Sequence, residues 1–123
     1  MSKLHSHSRE WLLTVHKAIC EEAHTIMAIK NEAYAGEDSL FRNFELAEKT
    51  GLCKTEVGIL VRIQDKLSRL VTFFVWDGQD SEGFAEETHL DSIHDLINYL
   101  VLLEAYRVSR KSDLHKEAPG GTV

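Results

Sequence analysis

The sequence predicts an all-α protein, a compact helical bundle of three long helices plus a short one. Two observations lead there. Proline is confined to Pro119 in a chain of 123 residues, so the body lacks the residue that breaks helices. Apolar side chains also recur three and four apart through three long stretches, which is the helical period. With 43% apolar and 28% charged residues, the chain has the length and material of one domain with its own core. Residues 1–8 read as a flexible start, 9–110 as that domain and 111–123 as a flexible tail.

The first helix is expected from Arg9 to about Asn31, carried by Leu12, Val15, Ile19, Ala23 and Ile26, with Ser8 as N-cap. The stretch EAYAGEDS, Glu32 to Ser39, loses the period and holds Gly36, so a loop should follow. Phe41 to Lys49 forms a short helix closed by Thr50 and Gly51. The second long helix starts near Thr55 and runs to Val75 or Trp76, with Ile59, Ile63, Leu67, Leu70 and Phe74 on one stripe. Its end, LVTFFVW, would read alone as a strand. A strand there would cut a continuous helical pattern and find no partner, so helix is the expectation. Trp76 to Gly83 is a turn-rich connection in which Asp80 or Ser81 caps the last helix, expected from Phe84 to Arg107.

Composition excludes several classes of function. Twenty acidic against fourteen basic residues leave a net charge of -6, which disfavours long-range attraction of a nucleic-acid backbone. The longest strongly apolar uncharged run is Leu96 to Leu103, too short to span a membrane, and MSKLHSHSRE lacks the apolar centre of a signal peptide. Two cysteines, Cys20 and Cys53, suit free thiols in a reducing cytoplasm. No phosphate-cradling Gly-rich loop and no placed nucleophile–base pair occur, so kinase, P-loop ATPase and Ser or Cys triad chemistries drop out.

The richest local pattern lies in the last helix. Glu87, Asp91 and Asp95 are spaced by four and, with His94 and Asn98, fall within about 100° of arc. Leu96, Leu100, Ile93 and Leu103 take the opposite side. Such a stripe is either a solvated outer face or the lining of a cleft. Acids four apart repel unless a cation or base relieves them, and the arc continues into Val101 and Leu102, which suits a helix covered on both sides. Successive carboxylates about 6 Å apart can converge on a hard cation such as Mg²⁺, or Mn²⁺, that also holds substrate phosphates. Zinc is less suited, because His89 and His94 do not share a face and the cysteines are isolated.

Two further groups add to the pattern. On the middle helix Asp65 stands between Arg62 and Arg69. It is either in a surface ion-pair cluster or another ligand facing the acidic stripe, with Lys66 or Arg69 meeting a phosphate. Glu56 lies on the apolar stripe, so it sits either at the exposed helix start, favoured by the dipole, or inside the cleft. Lys30, Asn31, Tyr34, Gly36, Asn43 and Phe44 bring polar donors and aromatics to the first loop, groups that can hold a base or sugar by hydrogen bonds and stacking.

The words KNEAYAG from Lys30 to Gly36, Asn43-Phe44, GILVRIQDKLSRL from Gly58 to Leu70 and ETHLDSIHDLINY from Glu87 to Tyr99 resemble the phage and bacterial family called nucleotide modification associated domain 1. More distantly, the chain is similar to the all-α nucleoside triphosphate pyrophosphohydrolases typified by MazG and dimeric dUTPase. The resemblance implies a helical bundle assembled as a homodimer or homotetramer, in host cytoplasm if phage-encoded. It implies Mg²⁺ held by acids and cleavage of the α–β phosphoanhydride of a nucleotide, modified or not. On that basis Glu87, Asp91 and Asp95 are candidate catalytic residues and metal ligands, with Asp65 and Glu56 as further ligands. Lys30, Asn31, Tyr34, Asn43, Lys66, Arg69 and Asn98 are candidate substrate contacts. The chain departs from those enzymes in having no ExxE on the middle helix and acids four apart, not three, on the last. The alternatives are therefore a non-catalytic nucleotide- or protein-binding module on the same fold, or a structural protein assembling through Ile97, Leu100 and Leu103.

Overall fold

The computed structural model describes residues 5, 7–34, 41–76 and 84–117, with side chains at 5, 7–30, 41–76 and 89–111. These residues form four helices and no strand: α1 Arg9–Tyr34, α2 Arg42–Lys49, α3 Thr55–Val75 and α4 Phe84–Glu117. Helix α4 is central. It packs against α3 on one side and α1 on the other, α2 packs on α3, and among the described residues α1 and α3 do not meet. A helix covered on two sides must bury side chains over a wide arc, which places polar residues of α4 inside.

The helix ends follow from local chemistry. Ser8 Oγ accepts the Trp11 backbone N–H at 3.1 Å, capping α1 as expected. The helix runs on to Tyr34, because Asn31-Glu32-Ala33 contains nothing that breaks it; residues 35–40, with Gly36, lie outside the described set. At the end of α2, Gly51 has φ +83°, and the Leu52 and Gly51 amides donate to Ala47 O at 2.9 Å and Glu48 O at 3.0 Å. This paired return to the last carbonyls requires a left-handed residue.

Thr55 opens α3 but does not cap it. Lys54 occupies the cap position without a side-chain bond, and Glu48, from α2, supplies the missing acceptor. Its Oε1 receives both the Thr55 N–H and the Thr55 hydroxyl at 2.8 Å. Thr55 is almost fully buried, so without that carboxylate two donors would be stranded. The segment LVTFFVW is helical to Val75, as continuity of the pattern requires. Helix α4 extends past Arg107 to Glu117. Its later residues are low in apolar content, but they include good helix formers and no Gly or Pro.

Which faces turn inward is less expected. Ala23, Ile59 and Tyr106 are the buried apolar side chains among those described. Of the anticipated stripes, Ile59, Ile63 and Leu70 turn inward, whereas Leu67 is 51% exposed, Phe74 57% and, on α1, Leu12 58%. The inner face of α3 instead runs through Thr55, Ile59, Ile63, Lys66, Leu70 and Phe73. Leu100, assigned to the core, is also exposed. Aromatic contacts close the seams. Phe41 meets Tyr106 edge-on at 5.1 Å, Phe44 meets Tyr99 at 6.2 Å, and Phe73 stacks on His89 at 4.0 Å. The described helices contain no stretch long and apolar enough to cross a membrane.

Candidate functional site

Three helices place one charged residue each at the same point. Asp95 on α4 receives Lys66 of α3 at 3.0 Å on Oδ2 and Lys30 of α1 at 3.4 Å on Oδ1. The side chains of Lys66 and Asp95 are only 17% and 19% exposed, while Lys30 is open to solvent. Lys66 occupies a position on the inner face of α3 that an apolar residue would normally take, and its long methylene stem allows this. Burial pushes the Asp95 carboxyl up. The Lys66 hydrogen bond and the two lysine charges outweigh that, so it ionises below the usual aspartate range.

Beside this cluster lies a hollow of about 80 Å³ lined by Met27, Lys30, Asp95, Asn98, Tyr99 and Leu102. It is smaller than the roughly 300–1,000 Å³ of ordinary ligand clefts, so it can admit a phosphate-sized group with the rest of a ligand outside. Asn98 forms its wall in a fixed orientation, its Nδ2 donating to Ala23 O at 3.0 Å. An amide so placed is satisfied on one side and ties α4 to α1.

One turn from the hollow is a second polar contact between α1 and α4. His94, 7% exposed at its side chain, lies 2.9 Å through Nε2 from Glu22 Oε1. A carboxylate only accepts, so Nε2 carries the shared proton, and Nδ1 is buried without a hydrogen-bond partner. Glu22 is the residue that sequence reasoning missed. Its signal was its place next to Ala23 on the inward edge of α1, opposite a histidine on the inward arc of α4.

The remaining candidates separate clearly. Asp91 points to solvent with no ion-pair or hydrogen-bond partner among the described residues. Glu87 is in the first turn of α4, and Asn31 and Tyr34 are in the last turn of α1, but their side chains lie outside the described set. Asp65 and Arg69 pair with each other at 3.6 Å on the outside of α3, away from Asp95. Glu56 forms an ion pair with Arg110 at 3.7 Å and stands ten residues from Lys66 along α3, about 15 Å, too far to share an ion with Asp95. Asn43 is exposed on α2 and does not line the hollow.

The arrangement suits anions better than cations. Among the described residues no three His, Cys, Asp or Glu side chains gather as a metal site would need, and both oxygens of Asp95 are engaged by lysines. Of the acids proposed as Mg²⁺ ligands, the described side chains bring to this point Asp95 alone, with Asp91 a turn away. Two ammonium groups meet a single carboxylate here, in a protein whose net charge is -6, beside a hollow with largely apolar walls that raise their effect. Comparison with protein-family models, with curated proteins and with solved structures found no match.

Proposed function

We propose that the protein binds a phosphate-bearing nucleotide, canonical or modified, between α1, α3 and α4, its terminal phosphate meeting Lys30 and Lys66. One observation carries this reading: two lysines from different helices converge on a single carboxylate at the rim of a small hollow. A polyphosphate brings more negative charge than the Asp95 carboxylate it would compete with, and its oxygens can accept from both ammonium groups. Tyr99 and Met27 offer the apolar and aromatic surface on which a sugar or base can rest.

Catalysis is the second reading, favoured by Asp91, which has no ion-pair or hydrogen-bond partner among the described residues and stands one turn from Asp95. In it, Asp91, Asp95 and Glu87, with Mg²⁺ or Mn²⁺, serve a pyrophosphohydrolase that cleaves the α–β phosphoanhydride with water to give a monophosphate and pyrophosphate. We place either function in a homodimer or homotetramer in the cytoplasm, a setting that suits the free thiols Cys20 and Cys53.

Calorimetric titration with nucleoside triphosphates, with and without Mg²⁺ or Mn²⁺, tests both readings when products are followed by phosphorus NMR. Binding predicts saturation, a loss of about tenfold or more in affinity for Lys66→Met, corresponding to ~1.4 kcal/mol, and partial recovery for Lys66→Arg. Undiminished binding in the Lys30→Met/Lys66→Met variant would remove the site. Pyrophosphate release lost in Asp91→Asn would establish the catalytic reading.

A further inference from the structure

A second hollow, of about 320 Å³, lies where α2, the start of α3 and the later half of α4 meet. It is larger than the one beside Asp95 and reaches the lower end of ordinary ligand clefts, roughly 300–1,000 Å³. Its lining is Glu45, Glu48 and Lys49 of α2, Thr55 of α3 and Tyr106 of α4. Tyr106 stands eleven residues beyond Asp95, roughly 16 Å along the helix axis, so the two hollows are separate.

Tyr106 is only 6% exposed. Phe41 meets its ring edge-on at 5.1 Å, and the Arg110 guanidinium lies 5.8 Å over it. Its hydroxyl, however, makes no hydrogen bond among the described residues, although a tyrosine so deeply buried normally has a partner there. The oxygen is not shut off from solvent, so it opens to the hollow that the residue lines. Thr55, 1% exposed, turns its amide and hydroxyl to Glu48 Oε1 at 2.8 Å, which orients that carboxylate and leaves Oε2 open. Those two donors, the backbone N–H first, hold Glu48 below the usual glutamate range. The Glu45 carboxylate and the Lys49 ammonium have no partner among the described residues, and Arg110 is drawn to Glu56 at 3.7 Å.

We infer that this hollow binds a small organic amine through a primary ammonium group. An ammonium carries three N–H donors and no acceptor, and the hollow presents three groups with acceptor capacity to spare, the Tyr106 hydroxyl, Glu48 Oε2 and the Glu45 carboxylate. Glu45 and Glu48 stand three apart on α2, where like charges repel and a cation between them relieves the repulsion. Two carboxylates in the lining oppose an anionic ligand. A metal ion is less suited, because among the described residues no three His, Cys, Asp or Glu side chains gather here, and a single ion leaves most of the space empty. An alkyl chain behind the ammonium fills it.

Butylammonium chloride is the probe, and because it carries no phosphate it reads this hollow without the nucleotide site. Titrated into the full chain and followed by amide NMR, it should move the Glu48, Lys49 and Thr55 signals saturably, with a dissociation constant of about 1 mM or below. Glu45→Gln should weaken binding about tenfold, and Tyr106→Phe, which keeps the ring and its contacts, about fivefold. Glu10→Gln, the same change of charge at an exposed position on α1, should leave it unchanged. Tetramethylammonium, a cation of equal charge with no N–H donor, should bind at least about tenfold more weakly. Shifts that do not saturate by roughly 50 mM overturn the proposal. Equal losses in Glu45→Gln and Glu10→Gln, which mark diffuse attraction to an acidic protein, overturn it as well, and so does tetramethylammonium binding as tightly as the primary amine.

Discussion

The two faces of α3 are built from similar residues and do different work. The inner face carries Thr55, Ile59 and Lys66, each of which is held by another helix, through Glu48, through burial and through Asp95. The outer face carries Val57, Leu60, Leu67 and Phe74, half in solvent. The comparison teaches that hydrophobic spacing says a helix has an apolar side, but partners decide which side is inside. Here a lysine is inside and the four apolar residues just named are outside.

Substitutions on the two faces should therefore behave differently, and the largest effect is expected at the centre of the inner face. Ile59→Ala should cost about 2–5 kcal/mol in denaturant unfolding. Leu60→Ala, one residue away, should change the stability of the dilute chain by less than ~0.5 kcal/mol. Equal losses at the two positions would erase the distinction between the faces.

Asp95→Ala comes next. It strands the half-buried Lys66 ammonium and should cost about 1–3 kcal/mol; adding Lys66→Met should recover part of that loss, a coupling read by a double-mutant cycle. The same pair contributes to the acid dependence of stability. Because the Asp95 carboxyl ionises below its ordinary range when folded, its contribution is complete above the unfolded value near ~3.9. It is lost as pH falls through the lower folded value. The midpoint of acid unfolding should therefore shift, and the slope lessen, in Asp95→Asn. Glu48 titrates with the same sign, held down first by the Thr55 N–H and then by its hydroxyl.

A smaller effect tests the start of the inner face. Thr55→Val removes one of two donors to Glu48 and should cost about 1 kcal/mol in thermal melts, with α3 otherwise intact. No loss would mean that the backbone amide alone holds the junction.

Much of the fold was legible in the residues. Ser8 marks the start of α1, Gly51 the end of α2, and the unbroken period through Phe73 and Phe74 the helical state of a segment with strand-like composition. Two ends were not, because the chain past Asn31 and past Arg107 loses apolar period without losing helix propensity, and period was the signal followed. The face of α3 was not legible either, since two apolar stripes were present and the choice between them rests on Asp95, twenty-nine residues further along.

The site was partly legible. Lys30, Lys66, Asp95 and Asn98 were singled out, and the apolar flanks of the α4 arc pointed to its burial. Their association as lysines on a carboxylate differs from the expected gathering of acids, because spacing along one helix shows which side chains share a face and not what opposes them. The link between Glu22 and His94 spans seventy-two positions, beyond the reach of any local pattern.

Asp95 is, in effect, a tenant already seated where an anion would go. Exchanging it for acetate or chloride merely swaps one negative charge for another, with nothing gained to cover the ordering of a small ion. On the binding we propose, a triphosphate would evict the same single charge and bring several, so the pair of lysines would act as a valence filter, indifferent to the abundant simple salts of a cell and responsive to its polyanions.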